Sequence, residues 1–492
     1  MSGKKSLQRG LVWLRNDLRI HDNSALYHAS TRCDQLAAVF IACPDTWKSH
    51  DEGDALVSFR MACLQELQEQ LRLRNIPLYY LEVSKFSQVP HALQQITERL
   101  KAEALFANAE YPLNEQRRDK AVRGKLQESG VQVEYYSDRT LLPPGAVRTA
   151  SGDPYKVFTP FKRALIQLCA ESEVKPLPMP KKMPSTDKGE HWPKWLGLEV
   201  EGNGKLTQKI PSQLPQYSLD IDGSGRVKGW ESGEKAAQKH LKAFAEIIDK
   251  YQAERDFPAK DSTSHLSPYL NCGAISIRQC VHMALNLNKG LWQGGNEGIA
   301  CWISELVWRE FYTHLLADFP RLSMGKPFKE ETEQVPWCYD KDLFSRWTRG
   351  ETGVPIVDAA MRQLNETAWM HNRLRMIVAS FLSKNMLIDW RWGERYFMQN
   401  LIDGDFASNN GGWQWTASTG TDAAPYFRVF NPYSQSQKFD PNGDFIRRYV
   451  PELASLSNKE IHEPPKVEGY PQVICDVGAG RKRAIEVFAN LK

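Results

Sequence analysis

No apolar run in this chain exceeds eight residues, Leu36 to Cys43, whereas a membrane-spanning helix needs about 20. A membrane span is therefore not expected. The nine cysteines form no C-x-x-C pair and stand in no His/Cys group at zinc spacing. An odd count without such spacing predicts free thiols in a reducing compartment, with no disulfide scaffold and no structural metal. The opening MSGKKSLQRG lacks the apolar stretch of a secretory leader, so a cytoplasmic location is expected. Charge of one sign is scarce too: 63 basic and 59 acidic residues leave only +4. That excess does not identify a nucleic-acid partner, but it allows one if arginines gather on a single face. Tryptophan is what the chain has in quantity, and ten of the 15 lie between Trp292 and Trp415. Leu and Val fill a core at less cost, so this indole density calls for a reason beyond packing.

Two periods organise the 492 residues. Up to about residue 140, β-rich runs (LVWLR 11–15, LAAVFIA 36–42, PLYYLEV 77–83, ALFANA 104–109, VQVEYY 131–136) alternate with helical stretches such as 55–74 and 88–103. This predicts βαβ units around a parallel sheet, an α/β domain over 8–140. No G-x-G-x-x-G follows the first run, where RNDLRIHDNSAL stands, so the usual dinucleotide fingerprint is missing. Seven prolines and seven lysines between Lys175 and Pro215 read as a linker, and 141–229 is expected to be a connector. From about Trp230 the apolar residues recur at three- and four-residue intervals, which predicts an all-α domain over 230–490.

Four segments carry residues suited to chemistry. Trp302, Glu305, Trp308 and Arg309 share a helical stripe. One reading is a Glu305–Arg309 surface ion pair beside buried indoles. The other is that a carboxylate set between tryptophans has a function. In WMHNRLRM (369–376), Asn372 and Met376 share a face flanked by Arg373 and Arg375. Guanidinium forks suit phosphate, and an inward amide suits a heterocycle. The alternative is an amphipathic helix with solvated arginines. LIDGDFASNNGGWQW (401–415) reads as a loop of two carboxylates, amides, glycines and indoles, which favours a ligand site over packing. Thr263, Ser264 and Ser267 stand at a predicted helix start, as a bare N-cap or a phosphate cradle.

Taken together, LVWLRNDLRIHDN (11–23), PPGAVRTASGDPYKVFTPF (143–161), GVPIVDAAMRQLNETAWMHNRLRM (353–376) and DGDFASNNGGWQWTASTGTDAAPYFRVFNP (403–432) resemble the photolyase/cryptochrome flavoproteins, most closely the class I cyclobutane pyrimidine dimer photolyases. The resemblance spans nearly the whole chain. It implies a Rossmann-like antenna domain, a long connector, and a helical domain that holds FAD and binds DNA containing pyrimidine dimers. By matching positions it assigns Tyr251, Thr263, Ser264, His265, Leu266 and Ser267 to the flavin ribityl and pyrophosphate. Relatives often have Arg where this chain has His265. Trp302, Asn372, Arg375, Asp403, Gly404, Asp405 and Asn409 match residues around the isoalloxazine and adenine, with Asn409 facing flavin N5.

The same resemblance gives Glu305, Trp308, Asn372, Met376 and Trp415 to the lesion pocket. It gives Arg255, Arg309, Arg373 and Arg428 to flanking phosphates, and Trp413, Trp390 and Trp337 to an electron relay. His50, Asn114 and Glu115 match the site of a 5,10-methenyltetrahydrofolate antenna; a deazaflavin, a second flavin or an empty site are the alternatives. The implied activity is light-driven electron transfer from reduced FAD to a flipped-out dimer, a lyase reaction with no metal, by a monomer needing no obligate protein partner. Two readings compete with it: a cryptochrome-type light receptor on the same fold, and a light-independent flavin- and DNA-binding protein.

Overall fold

Each of the five β-rich runs becomes a strand of one sheet: β1 (Leu7–Leu14), β2 (Cys33–Ala42), β3 (Leu78–Glu82), β4 (Ala104–Asn108) and β5 (Gln132–Tyr136). The computed structural model describes residues 7–172, 174–184, 195–200 and 204–491. The five strands are parallel and lie in the order β5-β4-β1-β2-β3. The order reverses between β1 and β4, the place where such sheets open a crevice beyond their strand ends. All of β4 is buried, as is β2 from Leu36 onward, which is why these strands are continuously apolar. Helices Val89–Leu100 and Leu113–Glu128 cover one face through Leu93, Ile96, Val122 and Leu126. Helices Ser24–Arg32 and Asp54–Arg72 cover the other through Leu26, Phe59 and Leu64.

The expected connector is more than a linker. Helix Phe158–Glu171 sets Phe158 and Phe161 against Phe311, at ring distances of 5.9 and 5.1 Å. Strands β6 (Trp195–Val200) and β7 (Gly204–Thr207) form an antiparallel hairpin, and β7 extends the sheet beside β3 at Tyr80–Thr207. Proline and lysine dominate the segment's composition. The pairing that makes β7 a strand is non-local and leaves no periodicity in the sequence. Residues 173, 185–194 and 201–203 of the expected connector lie outside the described residues.

From Gly233–Ala245 to Val477–Ala489 the described elements are helical, as the period predicts. The two expected domains nevertheless share one apolar core: Leu64 and Phe59 from the α/β part belong to the same cluster as Tyr269, Ile303 and Phe311. A second core, around Trp347, Leu374, Phe381 and Trp390, is built from the helical part alone. Polar bonds also cross the seam. Arg278 donates to Asp22 (2.9 and 3.0 Å) and to Asp138 (2.7 Å), and Arg19 donates to the Gly273 carbonyl (3.0 Å). Gly273 has φ +73°, and a Cβ there would lie 2.2 Å from the Asn16 carbonyl oxygen, so the close approach of the two parts needs a glycine.

Candidate functional site

Five segments of the helical part converge. The long helix Glu297–Asp318 supplies Trp302, Glu305 and Trp308, and helix Asn372–Ser380 supplies Asn372, Arg375 and Met376. Residues 401–405 supply Asp403 and Asp405. Tyr251 to Ser267 bring Arg255 and the hydroxyl segment. The fifth element is helix Phe406–Ala417, with Asn409, Trp413 and Trp415. The expectation of irregular backbone at 406–415 is corrected here. Asp405 caps the helix by accepting from Ser408 N (3.2 Å), and Gly411 lies against the Tyr312 ring rather than a ligand.

Ion pairs and hydrogen bonds fix this group. Asp403 accepts from Arg375 Nη2 (3.0 and 2.7 Å) and from Ser267 Oγ (2.6 Å), joining three segments. Asp405 accepts from Arg139 Nη2 (2.7 Å). Burial would raise the Asp405 carboxyl, but Arg139 and Arg309 outweigh it and hold it down to about 2. Glu305 Oε1 accepts from Arg255 Nη1 (2.5 Å), and about a third of the Glu305 side chain stays exposed. Of the two readings of this stripe, the Glu305–Arg309 pair is therefore absent. Arg309 instead donates to the Arg139 carbonyl (2.7 Å) and the Leu270 carbonyl (3.3 Å), toward the α/β part. The structure thus removes Arg309 from the expected phosphate contacts. The arginines of 372–380 are not simply solvated either, because Arg373 pairs with Asp256 (2.7 Å) and covers the Phe439 ring.

The remaining expected residues fall around this frame. Tyr251, Leu266 and Trp302 are buried, with Trp302 5.0 Å from Phe244. Thr263, Ser264 and His265 are half-buried. His265 adopts φ +50° and pairs with Asp261 (2.9 Å) beside the Trp369 ring. Asn372 is exposed, its amide 4.0 Å from Met376 Sδ. Asn409 Nδ2 donates to the Glu394 carbonyl (2.9 Å), and Gly404 is buried. Trp308 stacks on Phe158 at 3.6 Å, so Phe158 covers one of its faces. The Trp415 carbonyl accepts from Ala424 N (3.2 Å), which draws the loop bearing exposed Arg428 toward Trp415. Lys162 went unnoticed in the sequence. It donates to Ser304 Oγ (2.8 Å), one residue from Glu305, and only its FKRAL context on an amphipathic helix could have hinted at it.

Trp413, Trp390 and Trp337 are buried in the second core. The nearest rings to Trp413 are Phe397 (5.0 Å) and Trp347 (6.2 Å), two residues that sequence reading did not single out. Trp337 meets Phe488 at 6.1 Å. A Cβ on Gly393 would enter the Trp413 indole at 2.1 Å, so that ring takes up the space a side chain would need.

Between the α/β and helical parts lies a cavity of about 310 Å³. His50, Asn114 and Glu115 line it on one side; Glu394, Asp405 and Ala407 line it on the other. His50 Nε2 lies 2.9 Å from Asn114 Nδ2, and Nδ1 lies 3.5 Å from Glu115. Burial lowers the affinity of the imidazole for a proton, but the Glu115 carboxylate outweighs it and raises the pKa. Burial pushes the Glu394 carboxyl up to about 7, although Asn410 donates to it. The crevice at the strand ends is narrowed by the chain itself to a void of about 30 Å³. Arg15 and Arg118 cover the Trp13 ring at 4.1 and 4.8 Å, and Arg60 covers Trp47.

Comparison with known proteins agrees with this architecture. The DNA photolyase family profile matches residues 10–181, and the profile of the FAD binding domain of DNA photolyase matches residues 302–490. A deoxyribodipyrimidine photo-lyase of Vibrio cholerae is 44% identical over 98% of this chain and 99% of its own length. The crystal structure of a class III photolyase from Agrobacterium tumefaciens superposes with a TM-score of 0.86 at 34% identity, covering 100% of this chain and 99% of that one. An archaeal photolyase from Sulfolobus tokodaii, solved with two FAD molecules, gives 0.77 at 30% identity, over 98% of this chain and 100% of that one. By identity sustained over its full length, the chain belongs to the DNA photolyase family.

Proposed function

We propose that this chain is a light-dependent DNA repair lyase that splits cyclobutane pyrimidine dimers, the dimer being flipped into a pocket walled by Trp308 and Trp415. The observation that carries the reading is Glu305. It stands three residues from both Trp302 and Trp308 on one helix, Oε1 is held by Arg255, and part of the group remains open to solvent. The donor set fits FAD. The Thr263 and Ser264 hydroxyls make no hydrogen bond to another described residue, Asn372 is exposed, and Tyr251, Leu266 and Trp302 form apolar walls. When bound in its reduced form, FAD supplies a light-excited electron to the dimer and recovers it after ring opening.

The chain's own residues do the remaining work. The bond from Arg255 fixes the carboxylate and leaves Glu305 Oε2 to accept from a pyrimidine ring N–H. Asn409 spends its amide N–H on the Glu394 carbonyl, which leaves Oδ1 as an acceptor. The Arg375–Asp403–Ser267 bonds hold three segments in register around the cofactor site. Trp308 and Trp415 exclude water and offer faces for stacking, worth about 1–3 kcal/mol per base. Arg255, Arg373 and Arg428 are the cations for phosphates beside the lesion, contacts that carry no sequence information. Trp413, Trp390 and Trp337 are the route by which electrons reach an oxidised cofactor. The test is repair of an oligonucleotide with one thymine dimer by the reduced holoenzyme. Repair under blue light is expected; repair in darkness, or none in light, would overturn the reading.

For the antenna we infer 5,10-methenyltetrahydrofolate in the cavity between the two parts. The volume lies at the lower end of the range for small-molecule sites, about 300–1,000 Å³. The His50–Asn114–Glu115 group offers donors and a carboxylate to a pterin edge. The arginine–tryptophan packing in the strand-end crevice argues against a second flavin there. Chromophores released from purified protein should show folate beside FAD; flavin alone or a deazaflavin would overturn it. We read the chain as a monomer acting on DNA in the cytoplasm, in keeping with the lack, among the described residues, of a helix long and apolar enough to cross a membrane.

A further inference from the structure

Helix Asn372–Ser380 runs directly into a five-residue π-helical turn, Phe381–Asn385. Such turns are rare and concentrate at functional places. This one carries Lys384 into the second core, where only 1% of the residue is exposed. Its Nζ has no hydrogen-bond partner and lies 3.5 Å from the Phe488 ring centroid. Phe488 in turn meets Trp337 at 6.1 Å, and Trp337 Nε1 is likewise buried without a partner. Amine, phenyl ring and indole form one chain of contacts that ends at Trp337.

An ammonium buried without a counter-charge is costly. Burial, with repulsion from Lys329 added, pushes the Lys384 amine down to about 7. The charged groups on the packed elements are committed elsewhere or exposed. On helix Val477–Ala489, Arg483 donates to the Asn385 carbonyl, and Arg481, Lys482 and Glu486 are exposed. On helix Trp390–Asn400, Arg391 is held by Asp389 and Glu333, Glu394 is bonded by Asn410, and Arg395 pairs with Asp51. On helix Asn372–Ser380, Arg373 and Arg375 are held by Asp256 and Asp403, and helix Phe406–Ala417 has no charged residue.

We propose that Lys384 is a positioning residue for charge on the relay: protonated, it opposes oxidation of Trp337, and unprotonated, it permits it. This rests on the relay reading of the three tryptophans. In the step it governs, one electron leaves Trp337 and passes through Trp390 and Trp413 to the illuminated oxidised FAD, leaving one positive charge on Trp337. An added thiol reductant later returns the electron. With the amine within about 10 Å of the indole and an effective dielectric near 20, one charge shifts that balance by roughly tenfold.

Two readouts test this. In protein with 13C-labelled lysine Cε, one lysine signal should titrate near pH 7, against about 10.4 for an ordinary lysine, and should vanish in Lys384→Met. In the holoenzyme with oxidised FAD, the yield of tryptophan radical in microsecond absorption should rise about tenfold between pH 6 and pH 8.5. Lys384→Met should stay at the high yield at both pH values, and Lys384→Arg at the low one. If Lys384→Met does not fold, Lys384→Gln and the wild-type titration decide. A lysine set titrating wholly above pH 9, or the same pH rise in Lys384→Met, would overturn the inference. Trp337→Phe separates the two readings: undiminished radical yield there would overturn the relay itself, and the assignment of Lys384 with it.

Discussion

Glu305 finds its cation across a helix interface and not along its own helix. That a carboxylate beside tryptophans needs a partner was legible from residue type alone. The partner was not, because Arg255 lies 50 positions earlier and only tertiary packing brings it to 2.5 Å. A hydrogen bond to a charged group contributes about 1.5–3 kcal/mol, and the open Glu305 oxygen can accept one from a pyrimidine ring N–H. Glu305→Ala should therefore lower the quantum yield of repair several-fold while dimer affinity changes little. An equal yield in a steady-state light assay would remove the residue from the mechanism. Asp405 links its charge to stability. Its folded-state pKa lies below its unfolded value, so its contribution is present in full above about pH 4 and is lost as pH falls through about 2. Asp405→Asn should cost about 2 kcal/mol at pH 7 and a diminishing amount toward pH 2, read from urea unfolding at a series of pH values.

At the scale of elements, the parallel strands were legible because burial on both faces leaves an unbroken apolar run. Helix Phe406–Ala417 was not, because Asn-Asn-Gly-Gly carries the composition of a turn. Its helical state depends on the Asp405 cap and on Tyr312, whose ring occupies the space beside Gly411. Hairpin β6–β7 stayed hidden for a related reason: its contact with β3 at Thr207 is made by a strand only four residues long. The two adjacent glycines of the helix separate these effects. A Cβ on Gly411 would lie 2.1 Å from the Tyr312 ring, so Gly411→Ala should destabilise the fold by about 1–3 kcal/mol. A Cβ on Gly412 meets nothing within 4 Å, so Gly412→Ala should stabilise it by up to about 1 kcal/mol. Opposite shifts in denaturation midpoint would confirm that packing, not helix propensity, retains Gly411. Shifts of the same sign would refute it.

For the whole molecule, a net charge of +4 said little about DNA, because what matters is where the arginines are and what already holds them. Four candidates looked alike in sequence. In the fold, Arg309 braces the seam between the two parts, Arg255 holds Glu305, Arg373 is shared with Asp256, and Arg428 is exposed. Their contributions to DNA affinity should differ accordingly. Each phosphate neutralised adds roughly 0.9 to the slope of log affinity against log salt on duplex DNA. Arg373→Ala should weaken binding and flatten that slope by about one unit, since one phosphate contact is lost. Asp256→Asn should strengthen binding instead. Arg373 then meets phosphate without first breaking an ion pair, so affinity rises several-fold at fixed salt with the slope unchanged, because the number of contacts is the same. Arg309→Met should leave the slope as it is and show its cost in unfolding instead. Filter or fluorescence binding of a dimer-containing duplex between 50 and 200 mM salt distinguishes these outcomes. A slope change in Arg309→Met without one in Arg373→Ala would place the DNA against Arg309 and away from Arg373.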